Sequence, residues 1–214
     1  MTTFALTVLT NKNGIATKRL SLDAEGNIVK TPAAAIYQGI AERRTFTLVE
    51  LQKLLRSLEP NQCLVHGVCQ YDIAAVVTEA NYTPGQRIGG LPVVPRTAKC
   101  FSYEPGKPAL MMLDVDAIPG KPSLTADEVL SILEPICPGM GSAGIVVTPS
   151  TSSCIYLGDK QLKGQTGLHI YIVAQDGADI PRLGKVLFRR LWLMGYGHIV
   201  VSKAGGMLLR TVID

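Results

Sequence analysis

The sequence predicts a mixed α/β (α+β) fold, and three observations carry that prediction. Apolar residues recur at helix spacing after capping boxes at Thr47 and Thr125. Apolar runs of strand length, bounded by Gly, Pro or polar turns, fill much of the remaining chain. From Leu110 onward the two kinds of segment follow in the order β-α-β-β-α-β, the split βαβ layout of one sheet with its helices on one face.

The elements follow in chain order. Phe4-Ala-Leu-Thr-Val-Leu9, the turn near Asn13-Gly14 and the polar stretch to Val29 read as β-hairpins, with Asp23-Ala-Glu-Gly-Asn27 as a second turn. Thr47 and Glu50 cap an amphipathic helix carrying Leu48, Leu51, Leu54, Leu55 and Leu58, which Pro60 closes. Residues 81–108 are rich in Gly and Pro and carry Arg87, Arg96, Lys99 and Lys107; they read as a long loop or as a seam. A strand is expected over 110–115. A helix then starts at the Thr125–Glu128 box, with an apolar stripe of Val129, Leu130, Leu133 and Ile136. Next come a strand over 143–148, a polar loop over 149–166 and a strand over 168–173. The last helix begins near Asp179 with Pro181 in its first turn. It is expected to bury Leu183, Val186, Leu187, Leu191 and Met194, to expose Arg182, Lys185, Arg189 and Arg190, and to stop at Gly195. Strands over 198–201 and 207–213 finish the chain. This divides it into an N-terminal α/β module (1–94) and an RRM-like module (95–214), two parts of one integrated domain.

Composition narrows the function classes. The apolar runs fall short of a membrane span, and the start lacks the charged-then-apolar layout of a signal peptide. Five cysteines without framework spacing fit a reducing cytoplasm. The net charge of +4 is concentrated: from Asp179 onward six Lys/Arg face two Asp. Such a face suits a polyanion, although any one of these residues also reads as part of an ordinary solvated helix face. The chain stops on Thr211-Val-Ile-Asp214, at what should be a strand end, so a fragment of a larger protein is expected.

The candidate chemistry begins with Ala109-Leu-Met-Met-Leu-Asp-Val-Asp116, an apolar strand that emerges into two carboxylates. Asp114 and Asp116 at i, i+2 project from one face about 6–7 Å apart. Carboxylates that close repel unless a cation lies between them, and hard oxygen ligands suit Mg²⁺ or Mn²⁺. The competing reading is a solvated strand end before the turn Ala117-Ile-Pro-Gly120. In Gly167-Leu-His-Ile-Tyr-Ile172, alternation puts His169 and Tyr171 on the face opposite the aliphatics, and the split layout sets this strand beside Asp114. Lys160, Lys163 and Thr166 precede His169, a plausible triphosphate cradle. Asp214, ending Leu208-Leu-Arg-Thr-Val-Ile213, repeats the logic of Asp116. Three carboxylates can hold two divalent ions roughly 3.5–4 Å apart for in-line phosphoryl transfer. Cys63, His66 and Cys69 lack a fourth ligand nearby and read as core residues, as does Trp192.

Asp114-Val-Asp116, Gly167-Leu-His169 and Ile213-Asp214, in that order, resemble the three signatures of the archaeo-eukaryotic primase (primase-polymerase) superfamily. The flanks Pro95-Arg-Thr97, Thr148-Pro-Ser-Thr-Ser-Ser153 and Ser202-Lys203 resemble its phage- and plasmid-type bacterial branch. The resemblance covers roughly residues 95–214 and implies the primase fold and a DNA primase. It implies that Asp114, Asp116 and Asp214 hold two Mg²⁺ or Mn²⁺ ions. His169 would bind the phosphates of an NTP or dNTP, helped by Lys163, Thr166 or Lys203. Arg96 would touch template or nucleotide. Gly167 departs from the Ser of many relatives, so Thr166 or a backbone N–H would have to replace that hydroxyl. Single-stranded DNA template would then lie along Arg182, Arg189, Arg190 and the 87–107 segment. A helicase or origin-binding domain is expected beyond residue 214 or on a partner. Two other classes compete: a non-catalytic single-stranded nucleic-acid-binding module, which would place stacking aromatics on the open sheet face, and a metal-dependent nuclease or nucleotide cyclase.

Overall fold

The computed structural model describes every residue except Met1, Ala34, Pro119, Lys203 and Asp214. The chain forms two compact units, residues 1–110 with 174–178, and residues 111–173 with 179–214. Among the described residues no helix is long and apolar enough to cross a membrane.

The first unit contains β1 (Phe4–Asn11), β2 (Arg19–Leu22), β3 (Ile28–Thr31), β4 (Gln38–Phe46), α1 (Leu48–Ser57), β5 (Gln62–Val65), β6 (Val68–Cys69), β7 (Ile73–Val77), β8 (Arg87–Ile88), β9 (Leu91–Pro95) and β10 (Phe101–Ser102). Its main sheet runs β5-β1-β4-β7-β9-β8. The expected turn at Asp23 holds: the Asn27 amide donates to the Asp23 carboxylate at 2.7 Å, between the paired strands β2 and β3. The turn at Asn13-Gly14 does not close a hairpin on β1. That strand instead pairs along its whole length with β4, and with β5 on its other edge. The reason lies in its side chains: Phe4, Leu6, Val8 and Leu9 are all buried, so both faces of the strand are covered. Helix α1 starts as expected, with reciprocal Thr47–Glu50 capping. Residues 81–108 are neither plain loop nor seam, because β9 pairs in parallel with β7, placing Val93 beside Ala75. Pro92 and Pro95, which ordinarily argue against a strand, stand within it.

The second unit is built on β11 (Ala109–Asp116), α2 (Ala126–Leu133), β12 (Ile145–Pro149), β13 (Ile155–Leu157), β14 (Lys160–Lys163), β15 (Gly167–Ala174), α3 (Ile180–Leu193), β16 (Gly197–Val201) and β17 (Met207–Thr211). The Thr125–Glu128 box caps α2, and Val129, Leu133 and Ile136 are buried. The sheet order is β11-β15-β12, so the Asp114 strand and the His169 strand are neighbours as the split layout expects. The fourth strand of that layout is not seated there among the described residues. That strand, β16, pairs instead with β17, and the Ser202 amide donates to the Gly206 carbonyl at 2.8 Å where the two join. The 149–166 segment holds the β13–β14 hairpin around Gly158-Asp159, a two-residue turn with Gly158 at φ 57°. Helix α3 stops at Gly195, whose φ of 80° suits glycine. Leu187 and Leu191 are buried, but Met194 is 48% exposed, contrary to expectation, because it lies at the helix end beyond the packed face.

Candidate functional site

The site grows from the alternation of β11. Met111, Leu113 and Val115 are buried on one side, and Asp114 and Asp116 project from the other, half-exposed and exposed respectively. On the neighbouring strand β15, Leu168, Ile170 and Ile172 are buried and His169 takes the alternate face. The two strands bring His169 Nε2 to 3.5 Å from Asp114 Oδ1. That spacing is an ion-pair contact when the imidazole is protonated, and long for a hydrogen bond.

Tyr171 completes this face. Its ring meets that of His169 edge-on, with centroids 6.3 Å apart at 89°. It is buried, not displayed, which corrects the expectation of an open-face aromatic. Burial, and then the negative charge of Asp114, push its phenol above the ordinary tyrosine value, while a hydrogen bond with Thr148 acts in the opposite direction. Thr148 lies on β12 directly across from His169 in the antiparallel register. Asp114, His169, Tyr171 and Thr148 thus interact on one sheet face.

The entry to β15 is held by Ser153, which sequence reasoning did not single out. Its Oγ is buried, accepts the amides of Gly167 (2.9 Å) and Thr166 (3.0 Å), and donates to the Gly167 carbonyl at 3.0 Å. Ser150 Oγ and Thr166 Oγ1 lie 3.0 and 3.2 Å from it, forming a cluster of three hydroxyls. A Cβ on Gly167 would stand 2.9 Å from the Val115 carbonyl and 3.0 Å from Ser150 Oγ, so β11 and β15 approach too closely for a serine there. The Ser run in 150–153 was the available signal, but it does not say which backbone the hydroxyls reach. Beyond it, the Ala117 amide donates to the Thr166 carbonyl at 3.0 Å, tying the residue after Asp116 to the start of β15.

The remaining expected residues fall as follows. Lys163 ends β14 opposite Ile155. Lys203 and Asp214 lie outside the described residues. Arg182 is committed to Asp179 in a forked pair, with Nη2 at 2.7 Å from Oδ2. Arg190 donates to the Ile136 carbonyl at 2.5 Å, tying α3 to the segment after α2. Arg189 is exposed. Arg96 belongs to the first unit, where Cys69 is fully buried and Cys63 packs against the same cluster, as core residues should.

Asp114 and Asp116 offer the oxygen donors that Mg²⁺ or Mn²⁺ prefers. Among the described residues no group of three or more His, Cys, Asp or Glu side chains is gathered for a metal ion. The described donor set is therefore two same-face carboxylates. Comparison of the chain with protein-family models, curated proteins and solved structures found no match.

Proposed function

We propose that the chain is a template-dependent nucleotidyl transferase, a DNA primase or primase-polymerase acting in replication of a plasmid or phage. The observation that carries this reading is the meeting of Asp114 and His169, 3.5 Å apart on adjacent strands, with Asp116 on the same face. A phosphate-binding imidazole beside paired carboxylates suits transfer to a nucleotide triphosphate better than a bare acidic strand end does.

In this reading Asp114 and Asp116, with Asp214 as third ligand, would hold two Mg²⁺ or Mn²⁺ ions. Bound there, the ions would lower the pKa of a primer 3′-hydroxyl and neutralise the departing pyrophosphate. His169, 3.5 Å from Asp114 on the neighbouring strand, binds the triphosphate of an NTP or dNTP. Ser153 holds the Thr166–Gly167 backbone, so the strand that carries His169 starts at a fixed point. Arg182 and Arg190 already have partners, so we assign the template backbone to Arg189 and Lys185 on that helix. Burial of Tyr171 removes the aromatic that a base-stacking module would need.

Two binding measurements test the proposal. Mn²⁺-dependent binding of a nucleoside triphosphate should disappear in Asp114→Ala/Asp116→Ala and weaken in His169→Ala, while single-stranded DNA binding persists. A protein that binds no triphosphate, but holds single-stranded DNA equally well with and without the carboxylates, would instead be a binding module.

A further inference from the structure

The hydroxyl cluster at the start of β15 carries a proton that the protein itself does not use. The antiparallel register sets Thr148 across from His169 and Pro149 across from Leu168. The Ser150 amide continues that pairing by donating to the Gly167 carbonyl at 3.0 Å. Alternation therefore puts Thr148 and Ser150 on the same face as Gly167 and His169. Gly167 fixes the placement independently. A Cβ built there, on the side from which His169 projects, would stand 3.0 Å from Ser150 Oγ and 3.3 Å from Ser150 Cβ. The Ser150 hydroxyl thus occupies the room that glycine leaves on the face of Asp114 and His169.

Its proton has no taker in the protein. A serine oxygen has two lone pairs and one proton. In Ser153 the lone pairs take the amides of Gly167 at 2.9 Å and Thr166 at 3.0 Å, and the proton goes to the Gly167 carbonyl at 3.0 Å. Ser150 Oγ, 3.0 Å from this oxygen, therefore cannot donate to it. Among the described residues the Ser150 hydroxyl has no other hydrogen-bond partner. Thr166 Oγ1 meets the same saturated oxygen at 3.2 Å, and its remaining acceptor, the Ser152 carbonyl, is 3.5 Å away. That is long for a hydrogen bond. Water can accept both protons, but an anionic oxygen accepts them in stronger bonds.

We infer that Ser150 is a binding residue of this site, donating to a phosphate oxygen of the nucleotide that His169 holds, with Thr166 Oγ1 as a second donor. The inference rests on the proposed nucleotidyl transfer and adds a phosphate ligand to it. Gly167 and His169 are two positions apart, about 6–7 Å along the strand. Ser150, over Gly167, and the imidazole then meet successive groups of one phosphate chain. Neutral hydroxyls suit this place, because a lysine or arginine here would pair with Asp114 and Asp116 in competition with the metal ions.

The test is equilibrium binding of ATP, dATP and inorganic triphosphate to the 214-residue chain in Mn²⁺. Wild type is compared with Ser150→Ala, His169→Ala and Asp114→Ala/Asp116→Ala. Ser150→Ala strands no amide, so it should fold, and it should bind Mn²⁺ alone and single-stranded DNA as wild type does. It should weaken the preferred nucleotide at least about threefold, and inorganic triphosphate by the same factor, since the lost bond is to the phosphate chain. A smaller loss, while His169→Ala weakens the nucleotide and the double carboxylate variant abolishes binding, would overturn this inference and leave the proposed function standing. A loss for the nucleotide without one for inorganic triphosphate would overturn it as well, because Ser150 would then act on the nucleoside. A wild type that binds none of the three would overturn both readings.

Discussion

Replacing Ser153 by Ala removes one oxygen from the hub at the start of β15. That oxygen is the acceptor for two backbone amides, Gly167 N at 2.9 Å and Thr166 N at 3.0 Å. Ser153 is 6% exposed, so water has little access to replace it. Leaving a buried donor unpaired costs about 1–3 kcal/mol, and partial relaxation of the less buried Thr166 reduces the second loss. The Gly167 carbonyl loses less, because the Ser150 amide still donates to it at 3.0 Å. The expected destabilisation is therefore about 2–4 kcal/mol, which for a chain of this size lowers Tm by roughly 5–15 °C. Ser150→Ala is the internal control: it deletes one hydroxyl contact and strands no amide, so about 1 kcal/mol or less is expected. Urea denaturation followed by circular dichroism measures both. A Ser153→Ala loss below about 0.5 kcal/mol, or one equal to that of Ser150→Ala, would refute the argument that Ser153 holds the strand entry.

Gly167→Ser should destabilise by about 1–3 kcal/mol, since its Cβ would press on the Val115 carbonyl at 2.9 Å; a neutral substitution in the same denaturation assay would contradict the close approach. Tyr171 should titrate above the ordinary tyrosine pKa of about 10. Its contribution to stability is whole below the unfolded-state pKa and is lost as pH rises from there toward its own higher value. Because the Asp114 charge is one cause, Asp114→Asn should lower the Tyr171 transition in tyrosinate absorbance, with Tyr171→Phe identifying the signal; no movement would separate the two groups. On the hairpin, Ile199, Val201, Met207 and Leu209 share one face by register and are 54–75% exposed. Val201→Lys/Met207→Lys should therefore change stability by less than about 0.5 kcal/mol while reducing binding of a hydrophobic dye, and a large loss of stability would show that the face is packed.

What could be read from the sequence were the features whose signals are local. The Thr47–Glu50 and Thr125–Glu128 capping boxes locate two helix starts to the residue, because side chain and amide lie three positions apart. The alternation in β11 and β15 likewise put Asp114 and His169 on one side of adjacent strands. Non-local pairing was not readable. Phe4–Asn11 carries no mark saying that its partners are 38–46 and 62–65, and a nearby Asn-Gly turn pointed to the wrong one. Pro92 and Pro95 masked β9, whose parallel neighbour β7 lies well upstream. The Gly158-Asp159 turn was visible, yet its flanks, Ile155–Leu157 and Lys160–Lys163, are too short and mixed to show alternation. Ser153 escaped notice because its role depends on residues 166 and 167 folding back onto it. Tyr171 was assigned to the correct face, but its burial and its bond to Thr148 depend on side-chain packing that alternation does not report.

The measurement that bears most directly on the proposed activity is de novo synthesis on single-stranded circular DNA, with labelled nucleotides and Mg²⁺ or Mn²⁺. Wild type would be run beside Asp114→Ala/Asp116→Ala and His169→Ala. Wild type should give short labelled products, the double variant none, and His169→Ala a raised nucleotide requirement. Products from the double variant at the wild-type rate would contradict the proposed activity, as would a wild type that neither synthesises nor binds a triphosphate in the presence of metal.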